Sequence, residues 1–235
     1  MKSLREIFYS QQKFADKWDP YFDVYETWLG RFCGRSPRIL EIGVQNGGSA
    51  TMWLEYFGPG THVVGIDIDG KCSQHASDDI KIVIGDQGSP AFWENFLDTN
   101  KHRFDIVIDD GGHRMQEMIL TFKAVSQLVD DGGIYIIEDT HTAYWADSSL
   151  FAPPHTDFGL GNPNNILEFT KDAVDALNHE HIKSHAVIPQ LDSNIVELYK
   201  NVKGLHYYNS MIVFEIGPQL PFSRCLNSGV ERQPN

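Results

Sequence analysis

The chain is short of cysteine, of positive charge and of long apolar runs. Its 235 residues include three cysteines, Cys33, Cys72 and Cys225, which are too few and too scattered for a disulfide framework or a zinc cluster. It has 19 Lys and Arg against 32 Asp and Glu, a formal net charge of −13. Nucleic acids and anionic membranes are bound by clustered basic residues, so this balance argues against both as partners.

Membrane-crossing and secretory segments are also absent from the sequence. No apolar run approaches the roughly 20 residues of a membrane helix, and the N-terminus, MKSLREIFYSQQKF, lacks the apolar region of a signal peptide. A hydrophobic fraction of 41% is ample for a buried core and excludes a disordered chain. We therefore expect a cytoplasmic globular protein without membrane insertion, and a homo-oligomer is compatible with this composition.

Strand-like and helix-like segments alternate from about residue 38 onward. Apolar runs such as RILEIGV, HVVGIDID and RFDIVIDD are typical of strands buried on both faces, and helical patterns lie between several of them. Such units predict right-handed crossovers and a parallel sheet covered on both faces. The segment HYYNSMIVFEI predicts an antiparallel hairpin that turns near Asn209.

These patterns predict one α/β domain of the doubly wound, Rossmann-like kind. Five strands and the hairpin give a mostly parallel seven-stranded sheet that the antiparallel C-terminal hairpin closes. We expect residues 1–37 to form a helical cap of the same domain, residues 38–217 the domain proper and residues 218–235 a C-terminal tail.

Acids or glycines stand at the C-terminal ends of the predicted parallel strands, where α/β proteins bind ligands. The first end runs from Glu41 to Ser49 and includes Gly43 and Gly47, with spacing E-x-G-x-x-x-G in place of the G-x-G-x-x-G of dinucleotide sites. Glycine lets the backbone approach a ligand closely. This spacing suits a ligand with an amino group and a carboxylate.

The next strand ends supply polar side chains that suit a nucleoside. Asp67, after the second strand, can accept both hydroxyls of a ribose, with Asp69 as the alternative. Asp86 and Gln87, after the third strand, can hydrogen-bond the edge of an adenine. Since turn residues also end strands for purely structural reasons, it is the series of such ends that indicates a ligand site.

Over about residues 38–145 these features resemble the class I S-adenosylmethionine-dependent methyltransferases. The resemblance implies that the predicted domain binds S-adenosylmethionine. It points to one set of cofactor-binding residues: Glu41, Gly43, Gly47, Ser49, Asp67, Asp86, Gln87 and Asp109.

A second acidic cluster is expected where the fourth and fifth strands end. Asp110 follows the fourth strand, Glu138 and Asp139 follow the fifth, and neighbouring strands lie about 5 Å apart. Three carboxylates so close need a counter-charge, and all-oxygen ligation suits Mg²⁺ or, alternatively, Mn²⁺. Zinc is disfavoured because no Cys/His set accompanies the acids. The alternative is that these acids cap helices, or that one holds the amino group of the cofactor.

The strings LEIGVQNGGS, GIDID, GDQ, DIVIDDGGH and IIEDTHTAYW resemble the macrolide and rhamnosyl sugar O-methyltransferases and the related cephalosporin-hydroxylase-like family. KWDPYFDVYE (residues 17–26) is similar to that family's N-terminal helix. The resemblance implies that Asp110, Glu138 and Asp139 bind Mg²⁺ and that His113 is the general base. Two departures concern the acceptor: these 235 residues do not contain the additional N-terminal domain of the macrolide enzymes, and segment 147–164 matches no pattern.

We therefore expect a metal-dependent O-methyltransferase that moves a methyl group from S-adenosylmethionine to a sugar hydroxyl. The acceptor would be a rhamnose-like deoxysugar with a vicinal diol, on a glycan or a glycosylated small molecule. The alternatives are a methyltransferase for a small phenolic or amine acceptor, and a non-catalytic cofactor-binding subunit. His141 is the alternative base, and Tyr144 and Trp145 either stack on the sugar or pack their loop.

Overall fold

The computed structural model describes residues 2–145, 157–183 and 191–220. Within these ranges the strands are β1 (Arg38–Ile42), β2 (His62–Asp67), β3 (Ile80–Ile84), β4 (Phe104–Asp109), β5 (Val129–Ile137), β6 (Val202–Tyr208) and β7 (Met211–Ile216). The α-helices are α1 (Leu4–Ser10), α2 (Tyr21–Leu29), α3 (Gly48–Phe57), α4 (Pro90–Thr99), α5 (Met115–Val125), α6 (Ile166–Leu177), α7 (His179–Lys183) and α8 (Ser193–Tyr199).

The strands form one seven-stranded sheet in the order β3-β2-β1-β4-β5-β7-β6. The pairs among β1 to β5 are parallel, whereas β7 runs antiparallel to both β5 and β6. The hairpin turns at Asn209 and Ser210, where Ser210 has a φ of 68°. The expected sheet, mostly parallel and closed by an antiparallel C-terminal strand, is confirmed.

Helices cover both faces of the sheet, because the central strands are apolar on both sides. On one face α1, α2 and α3 pack against it, with Tyr25 and Trp53 fully buried there. On the other face α4, α5, α6 and α8 supply a second core around Phe122 and Tyr199. The N-terminal helices are therefore part of the layer that covers the sheet.

The register of the parallel strands brings distant residues together at one edge. Ile42 pairs with Asp109, and Asp109 pairs with Ile137, so the residues that follow β1, β4 and β5 are neighbours. The segments after β1 and β4 approach each other closely at Gly43, which has a φ of 92° and where an added Cβ would lie 2.0 Å from the carbonyl oxygen of Asp110. Only glycine fits at this crossing.

Some predicted features lie outside the described residues. Residues 147–156 of the segment 147–164, and residues 221–235 of the predicted tail, belong to this group. Among the described helices, none has both the length and the apolar character needed to cross a membrane.

Candidate active site

A cavity of about 790 Å³ lies at the C-terminal edge of the sheet. Its walls come from the segments that follow β1 to β5 and from residues 14–18, which precede α2 and are called the strap below. Residues of both predicted clusters border this cavity, with five of the predicted cofactor residues toward β1 to β3 and the three acids toward β4 and β5.

The glycine-rich turn after β1 forms one wall. Gly43 and Ser49 line the cavity, and Gly47 precedes α3 in the left-handed conformation with a φ of 69°. Glu41 lies behind this wall, fully buried, with one carboxylate oxygen accepting a hydrogen bond from the Trp53 indole at 2.9 Å. Burial raises the pKa of Glu41 to about 7. The structure thus brings the turn to the cavity but keeps the Glu41 carboxylate away from its surface.

Asp67 lines the cavity and also holds the turn in place. Its Oδ2 accepts the backbone N–H groups of Val44 and Gln45, each at 2.9 Å, and its Oδ1 accepts that of Asp69 at 2.9 Å. Partial burial acts to raise the pKa of Asp67, but these backbone hydrogen bonds outweigh it and lower the pKa. Asp69, the alternative ribose contact, also lines the cavity and accepts a hydrogen bond from the N–H of Lys71 at 2.9 Å.

The residues after β3 divide between the cavity and the interior. Asp86 is exposed in the cavity wall. Gln87 borders the cavity, but its amide is bound elsewhere: Nε2 donates to Asp109 and Thr121, each at 3.1 Å, and Oε1 accepts from the Gly112 N–H at 2.7 Å. The pair Gln87 and Asp109 therefore fixes the turn after β4 from behind.

Asp109 is expected to contact the cofactor, but it is 1% exposed and does not line the cavity. Burial raises the pKa of Asp109 to about 7, although the hydrogen bond from Gln87 acts to lower it. Its position suits support of the β4 turn.

The three predicted metal ligands meet at the other end of the cavity. Asp110, Glu138 and Asp139 all line it. Oε1 of the buried Glu138 accepts the Tyr25 hydroxyl at 2.6 Å, and Oδ1 of Asp139 accepts the Tyr21 hydroxyl at 2.6 Å. Helix α2 thus presents two hydroxyls, one helical turn apart, to two consecutive acids.

His113 lies over these acids. Its Nε2 is 3.4 Å from Oδ2 of Asp139 and 3.8 Å from Oδ1 of Asp110. Both His113 and Asp139 have a φ of 54°. The left-handed region is unfavourable for residues other than glycine and is concentrated at functional sites, where the surrounding structure holds it.

The donor set fits a hard divalent cation. Asp110, His113 and Asp139 each offer a ligand atom within 4.8 Å of the others. Glu138 completes a carboxylate-rich set of the kind that binds Mg²⁺. In this structure, however, its free oxygen accepts the Lys17 ammonium at 2.9 Å.

Four residues that surround the acids are not among the site residues predicted from the sequence: Lys17, Tyr21, Tyr25 and Ser210. The Tyr21 hydroxyl also contacts the Ser210 hydroxyl at 2.8 Å. The spacing of Tyr21 and Tyr25, four residues apart in a helix with a buried apolar face, was the available signal. Nothing in the sequence around Lys17 indicated its partners, because they come from β4 and β5.

Aromatic rings border the acidic end. The Trp18 ring meets the His141 ring edge-on at 5.8 Å, and His141 meets Trp145 at 4.4 Å. Trp18 lines the cavity, and its side chain is 54% exposed. Burial lowers the pKa of His141, whose Nδ1 also contacts the Ser210 hydroxyl. Trp145 packs on His141, and Tyr144 is 55% exposed.

Curated relatives of the chain are sugar O-methyltransferases by name. It is 31% identical over 210 residues to 8-demethyl-8-alpha-L-rhamnosyl tetracenomycin-C 2'-O-methyltransferase of Streptomyces olivaceus, with 86% of this chain and 52% of that protein covered. It is 33% identical to mycinamicin VI 2''-O-methyltransferase of Micromonospora griseorubida, covering 82% of this chain and 47% of that protein. The chain spans about half the length of the curated relatives it matches.

Solved structures and a family model agree with these relatives. The methyltransferase MycE of the mycinamycin biosynthetic pathway, in complex with Mg, SAH and mycinamycin VI, aligns with a TM-score of 0.71 and 28% identity, over 92% of this chain and 55% of that one. A caffeoyl-CoA O-methyltransferase-like protein from Staphylococcus aureus shares the fold at a TM-score of 0.52 and 14% identity, over 91% and 90% of the two chains. The family model described as rhamnosyl O-methyltransferase/CmcI matches residues 35–194. The chain therefore belongs to the rhamnosyl O-methyltransferase/CmcI family.

Proposed function

We propose that this protein is a metal-dependent O-methyltransferase that transfers a methyl group from S-adenosylmethionine to a sugar hydroxyl. The observation that carries the proposal is the meeting of Asp110, Glu138, Asp139 and His113 at one end of a single cavity. Its other end is lined by the glycine-rich turn and Asp67. One cavity can thus hold a cofactor and an acceptor side by side.

The names of the relatives support this cofactor, metal and acceptor. MycE was solved with Mg and SAH, and the curated relatives are named for the 2'- and 2''-hydroxyls of glycosylated small molecules. We infer a rhamnose-like deoxysugar with a vicinal diol as the acceptor. The net charge of −13 favours a small glycoside over a nucleic acid as the acceptor. A cytoplasmic location stays a prediction from the sequence.

The cofactor would lie between the turn after β1 and the ends of β2 and β3. Gly43, Ser49, Asp67 and Asp86 line that part of the cavity and are the proposed direct contacts. The remaining predicted residues would act indirectly. Gly47 precedes α3, Gln87 at the cavity wall binds Asp109 and Gly112, and the buried Glu41 and Asp109 support the turns. The donor S-adenosylmethionine supplies an electrophilic methyl group on a sulfonium.

Asp110, Glu138 and Asp139 would hold Mg²⁺, or Mn²⁺ in its place. The bound cation supplies positive charge that lowers the pKa of an alcohol and orients its oxygen. The hydroxyls of Tyr21 and Tyr25 orient the carboxylates of Asp139 and Glu138, a supporting role that is typical around metal ligands.

His113 is the proposed general base, acting through Nε2. That nitrogen takes the proton of the sugar hydroxyl, and the hydroxyl oxygen forms a C–O bond to the methyl carbon. The methyl–sulfur bond breaks with its electron pair on sulfur, which leaves S-adenosylhomocysteine. The carboxylates of Asp110 and Asp139, at 3.8 and 3.4 Å, stabilise the imidazolium that forms.

An acceptor screen with labelled S-adenosylmethionine tests this proposal. Methyl rhamnoside and other deoxysugar glycosides are assayed with Mg²⁺ and with EDTA, using the purified chain alone. We expect labelled sugar with Mg²⁺ and none with EDTA. Transfer only to phenols or amines, or equal turnover in EDTA, would contradict the proposal. A chain that binds S-adenosylhomocysteine but methylates none of these acceptors would favour the non-catalytic alternative.

A further inference from the structure

Lys17 lies between two of the proposed metal ligands. Its ammonium contacts Oδ2 of Asp110 and lies 2.9 Å from Oε2 of Glu138. The side chain of Lys17 is 2% exposed and that of Glu138 is 1% exposed. A lysine is almost never buried to this extent unless it is paired. In this structure Lys17 is therefore the counter-charge of the acidic cluster.

Lys17 attaches the strap to the acidic cluster. Phe14 and Trp18, at the two ends of the strap, are 60% and 54% exposed, so neither is anchored in the core. The strap touches the fold at Gly48, where an added Cβ would lie 2.1 Å from the carbonyl oxygen of Phe14, and at the ring of His141. Lys17 is the strap residue whose side chain is buried in the acidic cluster. Releasing it would remove the attachment of the strap to the acidic cluster and leave its contacts at Gly48 and His141.

An ammonium and a divalent cation compete for the carboxylates of Asp110 and Glu138. A cation held by Asp110 and Glu138 would approach the same oxygen atoms that Lys17 contacts. In a buried site of low effective dielectric, two positive charges only a few ångströms apart repel strongly. A cation bound at Oδ2 of Asp110 and Oε2 of Glu138 would therefore push Lys17 out of this position.

We propose that Lys17 is the internal cation of this centre, which Mg²⁺ displaces on binding, releasing the strap from the cavity. The inference rests on the metal role proposed above. It makes Lys17 the residue that sets metal affinity, and it couples metal loading to access through the strap. Because methyl transfer need not be measured, the acceptor does not have to be known.

Two measurements that do not depend on methyl transfer test the displacement of Lys17 by Mg²⁺. First, the native protein is digested briefly with a lysine-specific endoprotease in EDTA or in Mg²⁺, and the single cuts are identified by mass. Cleavage after Lys17 requires its side chain to leave the acids, whereas Lys101 is exposed in the loop between α4 and β4, outside the strap, and serves as the internal control. We expect Mg²⁺ to speed the cut after Lys17 by about tenfold or more, with the cut after Lys101 unchanged.

Second, Mg²⁺ binding is measured by calorimetry for the native protein and for Lys17→Met. Removing the competing charge should tighten Mg²⁺ binding by about tenfold or more. Lys13→Met is the matched control, with the same chemical change at an exposed position, and should bind Mg²⁺ like the native protein. Lys17→Arg keeps the charge and should not tighten binding. Because the protease measurement uses the native chain, it stands even if Lys17→Met folds poorly.

The outcomes separate this inference from the proposed function. If Mg²⁺ binds the native protein while Lys17 stays protected, or if Lys17→Met binds Mg²⁺ no more tightly, the displacement is wrong and the metal role survives. Binding by Lys17→Met alone would support the competition while contradicting a metal-dependent native enzyme. Binding by neither protein would overturn both.

Discussion

The two ends of the cavity are assembled in different ways. At the cofactor end, Asp67 is held by backbone N–H groups no more than 23 residues away, and Asp86 by that of Gly88. At the acidic end, Glu138 and Asp139 are held by hydroxyls 113 and 118 residues earlier in the chain. One end depends on local turns, and the other depends on how α2 and the strap dock.

This difference affects what a mutation can do. A change at the cofactor end alters one turn and the affinity for one ligand. A change at the acidic end leaves buried charge without its partner, which is among the most costly defects in a protein. Variants at the two ends should therefore separate binding from catalysis.

The largest effect is expected from the acids. Asp139→Asn or Glu138→Gln removes a charged ligand, so turnover of the accepted sugar should become very low at Mg²⁺ concentrations that saturate the native enzyme. Binding of S-adenosylhomocysteine should change little, because the cofactor contacts lie at the other end. Asp131→Asn, at an exposed acid near the start of the same strand, is the matched control. Native turnover in either variant would contradict the metal assignment.

His113 should have the next largest effect. Loss of a general base predicts a kcat about 10²–10⁴ lower in His113→Ala, with cofactor affinity nearly unchanged. His113→Asn is the better-behaved second variant, because asparagine tolerates the left-handed backbone at this position. Turnover, calorimetry with S-adenosylhomocysteine and thermal unfolding are measured together. Wild-type kcat, or a loss explained by unfolding, would remove His113 from the mechanism and make His141 the next candidate.

The sequence alone predicts the sheet and its functional edge well. Each strand from β1 to β5 contains a short apolar run that leads into a turn, and parallel pairing then places Gly43, Asp110 and Glu138 side by side. These are consequences of pattern and topology, so they need no knowledge of side-chain packing.

Side-chain orientation and long-range partners are what the sequence does not predict. Glu41 and Asp109 stand in suggestive positions, yet both are fully buried behind the wall. In a strand, a shift of one residue decides which face a side chain takes. Lys17 lies 93 and 121 residues before Asp110 and Glu138, and only the docking of the N-terminal segment brings them together.

A smaller effect, confined to the cofactor end, is expected from Asp67. Asp67→Ala should weaken S-adenosylhomocysteine binding by about 1–3 kcal/mol, the cost of losing hydrogen bonds to a charged group. Asp69→Ala is the matched control, because Asp69 lies two residues further along the chain and also lines the cavity. Calorimetry on both variants decides between them. If Asp69→Ala has the larger effect, the ribose contact moves to Asp69, and Asp67 serves mainly to hold the turn.

The smallest effect is expected at Glu41. It distinguishes a buried supporting role of this residue from direct contact with the ligand. Burial raises its pKa to about 7 in the folded protein, against 4.5 for an unperturbed side chain. Between these pH values the folded state binds more protons than the unfolded state, so this group lowers the free energy of unfolding as pH rises through the window. Glu41→Gln cannot ionise, and its stability should fall less between pH 5 and pH 7.5, by about 2 kcal/mol. Chemical denaturation in EDTA at both pH values measures this, with the exposed Glu94→Gln as control. A variant that keeps the native pH dependence but loses cofactor affinity would place the Glu41 carboxylate on the ligand after all.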